Sequence, residues 1–259
     1  MQTMNARANY YWRLAATGGC FAVFGIGGLV LSLFVFPLLL LASARTRARQ
    51  ARWIIHKSFG FFMTLMERVG IMRLEVIGGD RLRMCRNTLV LANHPTLIDV
   101  VALVSLMPEA SCVVKRALWK NPFLGGVVRA ADYVRNSEPE TLIDDCASDL
   151  ADGNPMLIFP EGTRTLPGKA LHFLRGPAHI ALKSGMPILP VVIVCRPTTL
   201  TKQERWWQIP NRRFHLRIEV MQPISPRGWV QSGVAQSISA RKLTQALEAY
   251  FTKELERNG

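Results

Sequence analysis

His94 and Asp99 stand five residues apart in the stretch Asn93-His94-Pro95-Thr96-Leu97-Ile98-Asp99. A carboxylate that accepts from one imidazole nitrogen fixes the ring's tautomer and leaves the other nitrogen free to take a proton. On a continuous helix the two residues would be rotated by roughly 500° and could not share a face. Pro95 removes that obstacle, because it drives His94 into an extended conformation and favours a tight turn. The histidine can then fold back over the start of the helix that carries Asp99, where the helix dipole favours the ionised acid. Such a pair can deprotonate a hydroxyl that attacks an activated acyl carbon directly. No serine or cysteine sits in a nucleophile elbow beside it, and no further His or Cys cluster completes a metal site. Taken alone, the same spacing also describes a hydrogen-bonded cap.

A second group of residues has the chemistry of a binding loop. Met156 to Phe159 reads as a strand that opens onto Pro160-Glu161-Gly162-Thr163-Arg164-Thr165. Gly162 permits close backbone approach, Arg164 offers a bidentate fork for phosphate, and the threonine hydroxyls add donors. Glu161 can accept from a substrate hydroxyl or orient Arg164. Taken alone, the loop also reads as a solvated turn.

The elements that must position these loops alternate between short apolar strands and helical stretches, which predicts an α/β fold with a mixed, partly parallel sheet flanked by helices. Strands are expected over 74–77, 88–92, 112–115, 133–134, 156–159 and 188–195, and a half-exposed one nearer the sheet edge over 214–220. Helices are expected over 99–107, 122–128, 140–151 and 177–184, the last ended by Gly185. An amphipathic helix closes the chain through Leu243, Leu247, Tyr250, Phe251 and Leu255. Both candidate loops then follow the carboxyl ends of strands, where open α/β sheets bind ligands.

The chain has 259 residues, enough for one sizeable α/β domain with an appendage. Its apolar run from Cys20 to Leu41 is long enough to cross a bilayer as a membrane-anchoring helical segment. Gly25, Gly27, Gly28 and Pro37 interrupt it, so a hairpin dipping into one leaflet is the other geometry. Arg45, Arg47, Arg49, Arg52 and Lys57 follow the run, against Arg7 and Arg13 before it, which directs the following domain to the cytoplasm. Trp53, Ile54, Ile55, Phe59, Phe61 and Phe62 interleave with these charges and predict an interfacial helix on anionic phospholipid. The division is an anchor over 1–65 and a catalytic domain over 66–259, at the inner, cytoplasmic membrane. The net charge of +14 suits an anionic partner, and its placement beside the apolar run favours membrane over nucleic acid. Trp206 and Trp207, in a basic loop, are candidates for the interface or for loop packing. The five scattered cysteines include no C-x-x-C pair, which points to buried thiols in a reducing compartment.

The motifs N-H-P-T-L-I-D and F-P-E-G-T-R, in this order and at this separation, resemble the glycerolipid acyltransferases, the lysophosphatidic-acid acyltransferase family. Lys115 to Gly125 with Arg135 resembles that family's second block. Phe173-Leu174-Arg175-Gly176 with Pro187 to Val191 resembles its last, so the likeness covers about 74–221. The resemblance implies His94 as general base with Asp99 orienting it. Glu161, Gly162, Thr163 and Arg164 would grip the acceptor's headgroup, with Lys115, Arg135 and Arg175 adding charge. It implies an acyl-CoA or acyl-carrier-protein donor as co-substrate, no cofactor, and a lysophospholipid acceptor, by default 1-acylglycerol-3-phosphate. Thr96 replaces the commoner serine and keeps its hydroxyl. Ala117 replaces a usual glutamate, and Ala130-Ala131 stands where a glycine is usual. These departures leave open a different lipid acceptor, such as an amino-acid lipid, a glycolipid or a polyene lipid. A non-catalytic module that binds membrane or carrier protein is the remaining alternative.

Overall fold

The computed structural model describes residues 2–136, 139–229 and 235–258, and the side chains of 2–6, 139 and 140 lie outside that description. Seven strands form one sheet: β1 (Met72–Ile77), β2 (Leu89–Ala92), β3 (Ser111–Val114), β4 (Val134–Arg135), β5 (Met156–Ile158), β6 (Ile188–Arg196) and β7 (Phe214–Val220). Their order is β1-β7-β6-β2-β5-β3-β4, and every neighbouring pair is parallel except β6 with β7. The sheet is therefore mixed and mostly parallel. β2, the central strand, is buried at each position, as its unbroken Leu-Val-Leu-Ala run requires of a strand covered on both faces. β7 alternates buried and half-buried residues and lies one strand in from the edge held by β1.

The helices are α1 (Gln2–Val30), α2 (Ala44–Arg68), α3 (Asp80–Met84), α4 (Asp99–Val104), α5 (Arg116–Trp119), α6 (Gly125–Ala130), α7 (Pro139–Ala151), α8 (Gly176–Ser184) and α9 (Gln236–Asn258). α4 ends three residues before its expected end, and α6 starts three residues later than expected. In α6, the Asn121 side chain accepts from the amides of Phe123 and Leu124 and holds them in a turn ahead of the helix. Gly185, at φ +65°, ends α8 in the left-handed conformation. One core layer lies under α1, α2, α4 and α6, and a second lies on the opposite face under α7, α8 and α9.

α1 runs on through a π turn (Leu31–Val35) and a 3-10 turn (Phe36–Leu41), and the chain reverses at Ser43, whose side chain caps α2. Among the described residues, 7–41 form the one helical stretch long and apolar enough to cross a membrane, and little of it is buried in the protein. It returns as a hairpin against α2, with Phe24 packed on Phe59 and Phe62. Where it meets α6 the backbones come close: a Cβ on Gly28 would sit 2.8 Å from the Phe123 carbonyl oxygen, and one on Gly126 would sit 2.4 Å from Ser32 Cβ.

α2 differs from the expected helix resting on lipid. Its apolar side, with Ile55, Phe62, Met63 and Met66, joins the same core as β1 and α4. Arg52 is buried and donates to the carbonyls of Ala131 and Asp132, and Arg45 and Arg49 pair with Asp152 and Glu109. Much of the basic stretch thus complements acids of the sheet domain, leaving Trp53 and Phe61 exposed on its outer face. Arg13, counted above as a flanking charge, is likewise consumed: it donates to Asn9 Oδ1 and to the carbonyls of Pro210 and Asn211. All five cysteines are buried and free.

Candidate active site

β2 delivers the first loop. Directly after it, Asn93 is buried, donates to the Ile193 carbonyl at 2.8 Å and accepts from the Ile193 amide at 2.7 Å. This side chain continues the β2–β6 ladder past the last backbone pair and fixes the direction in which the loop leaves. Asn93→Ala would leave both polar groups of Ile193 unpaired in the core. We expect a loss of about 2–3 kcal/mol of stability, measured by denaturant unfolding in detergent.

Beyond Asn93 the chain turns at Pro95 as expected. His94 Nδ1 lies 2.9 Å from Asp99 Oδ2, and a donated N–H there leaves Nε2 as the acceptor. Asp99 is fully buried, and its carboxylate also accepts from the Thr96 amide at 2.7 Å and the Thr96 hydroxyl at 2.5 Å. The reach back to the Thr96 amide closes the turn ahead of α4, so one carboxylate both holds the turn and orients the ring. Burial pushes the Asp99 carboxyl above the usual carboxylate range, against the pull of the His94 and Thr96 hydrogen bonds. The imidazole stacks on Phe159 with ring centroids 4.1 Å apart.

Phe159 comes from the end of β5, the parallel neighbour of β2, with Leu91 opposite Ile158. That register sets the two loops side by side. Glu161 accepts from the His94 amide at 3.1 Å and from the Thr165 hydroxyl, and the Thr165 amide donates to the His94 carbonyl at 2.8 Å. Burial raises the Glu161 carboxyl, while those donors and the nearby His94 lower it. Glu161 thus ties the two loops together and does not orient Arg164. Gly162 has φ +65°, and a Cβ there would also meet Leu174 at 2.7 Å.

Arg164 Nη1 donates to the carbonyls of Leu200 at 2.9 Å and Thr201 at 2.8 Å. The Leu200 carbonyl also accepts from the Leu97 amide at 3.0 Å. The guanidinium therefore anchors the segment after β6 against the His94 loop, and only its remaining N–H groups are free to meet an anion. Thr163 is half-buried in the same loop. Lys115 directly follows β3 and Arg135 ends the adjacent parallel β4, with Val114 opposite Arg135, and both are exposed. Arg135 lies over the Trp119 ring at 4.5 Å. Arg175 is exposed just ahead of α8, next to Leu174, whose amide donates to the Pro160 carbonyl. His94, Asp99, Glu161 and Arg164 are thus brought together directly, and the remaining cations lie on neighbouring strand ends and loops.

Two cavities adjoin the His94 loop. The larger, about 500 Å³ and almost wholly apolar, opens beside Leu97 and Ile98 and is walled by Phe21 and Phe24 of α1 and Phe59 and Phe62 of α2. The smaller, about 220 Å³, lies on the other side of the loop among Thr96, Thr165, Thr199, Thr201 and Lys169. No His, Cys, Asp or Glu cluster that could hold a metal is present among the described residues. The positions not anticipated from the sequence are Asn93, the ring-stacking Phe159 and the Leu200–Thr201 carbonyls. Asn93 and Phe159 directly flank the motif residues, which was the available signal. Nothing local marked the third.

Residues 73–194 match the family model described as Acyltransferase. Over 183 residues the chain is 26% identical to mouse 1-acyl-sn-glycerol-3-phosphate acyltransferase alpha, covering 66% of this chain and 63% of that protein. It is 30% identical to the human beta form over 54% of this chain and 50% of the relative. The chain thus spans less than two thirds of the length of these relatives. The crystal structure of the 1-acyl-sn-glycerophosphate acyltransferase PlsC from Thermotoga maritima has the same fold, with a TM-score of 0.66 over 99% of this chain and 98% of that one, at 22% identity.

Proposed function

Because the chain belongs to the glycerolipid acyltransferase family, we propose that it transfers a fatty acyl group from an acyl-CoA or acyl-carrier-protein thioester to a lysophospholipid hydroxyl. The default acceptor is 1-acylglycerol-3-phosphate, the substrate in the names of the relatives. The observation that carries the reading is the oriented His94–Asp99 pair, on a loop whose Leu97 and Ile98 line an apolar cavity.

His94 Nε2 takes the proton of the acceptor hydroxyl as its oxygen attacks the thioester carbonyl carbon. The new C–O bond forms, the C–S bond breaks, and the leaving thiolate recovers the proton from the imidazolium. Asp99, held by Thr96, keeps the ring in the tautomer that can accept and offsets its charge once protonated. Glu161 and Thr165 hold the two loops in register, and the free N–H groups of Arg164, with Lys115, Arg135 and Arg175, meet the acceptor's phosphate. At about 30 Å³ for a water- or methylene-sized group, the cavity has room for roughly fifteen such groups.

The half-exposed hairpin of α1 and α2 would hold the enzyme at the inner membrane, with the sheet domain on the cytoplasmic side, so that the acceptor enters from the adjoining leaflet. Phe61 and Trp53 on the outer face of α2, with Trp206 and Trp207, suit that boundary.

A second reading keeps the chemistry and changes the acceptor. It is favoured by the engagement of Arg164 with Leu200 and Thr201 and of Arg135 with Trp119, which leaves less of the expected phosphate grip free. The purified protein in phospholipid vesicles, given labelled acyl-CoA or acyl-carrier protein and a panel of lysolipids, should acylate 1-acylglycerol-3-phosphate fastest. Faster transfer to an uncharged or amino-acid lysolipid establishes the second reading, and no transfer to any acceptor overturns both.

A further inference from the structure

The loop between β6 and β7 carries charge that the transfer chemistry does not use. Over residues 202–213 it holds Lys202, Arg205, Arg212 and Arg213 against one acid, Glu204. The four cations are exposed, and none pairs with a carboxylate among the described residues. Glu204 is half-buried and turned back onto the chain, where its Oε2 accepts from the Thr201 amide at 3.0 Å. The exposed charges of the loop are therefore all positive.

The loop has a fixed shape and is fastened to α1. The Gln208 amide donates to the Arg205 carbonyl at 3.0 Å, and the Gln208 side-chain oxygen accepts from the Arg205 amide at 2.7 Å. This turn carries Trp206 and Trp207 at its tip, 42% and 44% exposed. Trp206 leans on α1 with its ring centroid 6.1 Å from that of Phe21, and a Cβ on Gly18 would sit 3.2 Å from the indole. Arg13 of α1 secures the other end through the Pro210 and Asn211 carbonyls. Trp207 keeps the Arg205 guanidinium 5.2 Å from its ring centroid. The helix that receives the loop is apolar on its outer side. At about 100° per residue, its exposed Trp12, Val23, Ile26 and Val30 fall within roughly 60° of one another.

We propose that residues 202–213 form a second membrane contact, distinct from the hairpin, that docks on the headgroups of anionic phospholipid and so orients the sheet domain on the leaflet. The inference rests on the membrane-bound reading above and is independent of the transfer chemistry. Indoles favour the headgroup layer, and cations beside them are drawn to anionic lipid. An acidic protein would complement the charges as well, but attachment to a helix with an apolar outer face favours a lipid surface. The loop also adjoins the site. Ile209 and Pro210 wall the apolar cavity, as do Thr199 and Leu200 just before the loop. Leu200 is held at φ +52°, and its carbonyl and that of Thr201 anchor Arg164. A docked loop would set that wall and that anchor against the leaflet from which the acceptor comes.

The test places the full-length protein in vesicles of phosphatidylcholine brominated on its acyl chains, with or without added phosphatidylglycerol. The Trp207 signal is the emission of the wild type less that of Trp207→Phe. It is expected to be quenched when phosphatidylglycerol is present and restored in 1 M salt, where charges are screened beyond about 3 Å. Arg212→Gln with Arg213→Gln removes two exposed cations and should lower the ratio of docked to undocked loop by about fivefold for each, or about 25-fold. Quenching that is absent, that is equal in both lipids, or that the double variant leaves unchanged overturns the proposal while leaving hairpin anchoring and acyl transfer standing. Unchanged quenching with a raised KM for acyl-carrier protein, but not for acyl-CoA, assigns the loop to the carrier instead. A protein that sediments with neither kind of vesicle overturns the membrane-bound reading and this proposal with it.

Discussion

His94→Ala should lower acyl transfer by a factor of about 10³, within the range that a positioned general base contributes. The ring makes one side-chain hydrogen bond, to Asp99, and stacks on Phe159. Asp99 would keep both contacts from Thr96, and the backbone ties from His94 to Glu161 and Thr165 do not involve the ring. The variant should therefore fold, with a thermal midpoint within a few degrees of the wild type, and retain acceptor binding. The decisive measurement is single-turnover transfer from a saturating thioester donor, with the unfolding midpoint taken on the same preparation. A variant that folds and turns over at the wild-type rate would remove His94 from the chemistry.

The sequence exposed this pair clearly because the relevant physics is local. Pro95 dictates the turn, Thr96 and Asp99 lie within one turn of chain, and the strand before them is apolar enough to be recognised as buried. The strands show the same pattern: β2, β5 and β6 fall within a residue or so of the runs that announced them. What was illegible depends on residues distant in the chain. Glu161 could be read as orienting Arg164 or meeting substrate, because nothing in its neighbours reveals that β5 sets it against the His94 amide. Arg164 read as a free phosphate fork, because its carbonyl partners at Leu200 and Thr201 lie in an irregular segment with no periodicity to read. For α2 the composition was right and the direction wrong. Arginines beside aromatic residues suit a lipid surface, yet Arg52 turns inward to Asp149 of α7 and the Ala131 and Asp132 carbonyls, and Ile55 to the core shared with α4 and β1.

Asp99→Asn should cost as much activity as the loss of the histidine, about 10³-fold, by a different route that its pH dependence identifies. An asparagine whose oxygen accepts from the Thr96 hydroxyl puts its amide N–H in the place of Oδ2, losing the Thr96 amide, and facing His94 Nδ1 it would favour the tautomer with the proton on Nε2, which cannot act as a base. Burial holds the wild-type carboxyl above the usual carboxylate value of about 3.9. Between that value and the raised one, the folded protein binds more protons than the unfolded chain. Its stability therefore falls as pH rises through that window. Activity in the same window rises, because only the ionised acid holds the ring in its accepting tautomer. The wild type should thus gain activity and lose stability over one pH interval. In Asp99→Asn the activity rise should vanish. The stability slope should flatten only in part, because Glu161 beside it is also raised by burial and still titrates. Unfolding midpoints and transfer rates measured on both proteins from acid to neutral pH decide the matter. A stability slope unchanged by the substitution would mean that Asp99 is not the group whose ionisation the fold opposes.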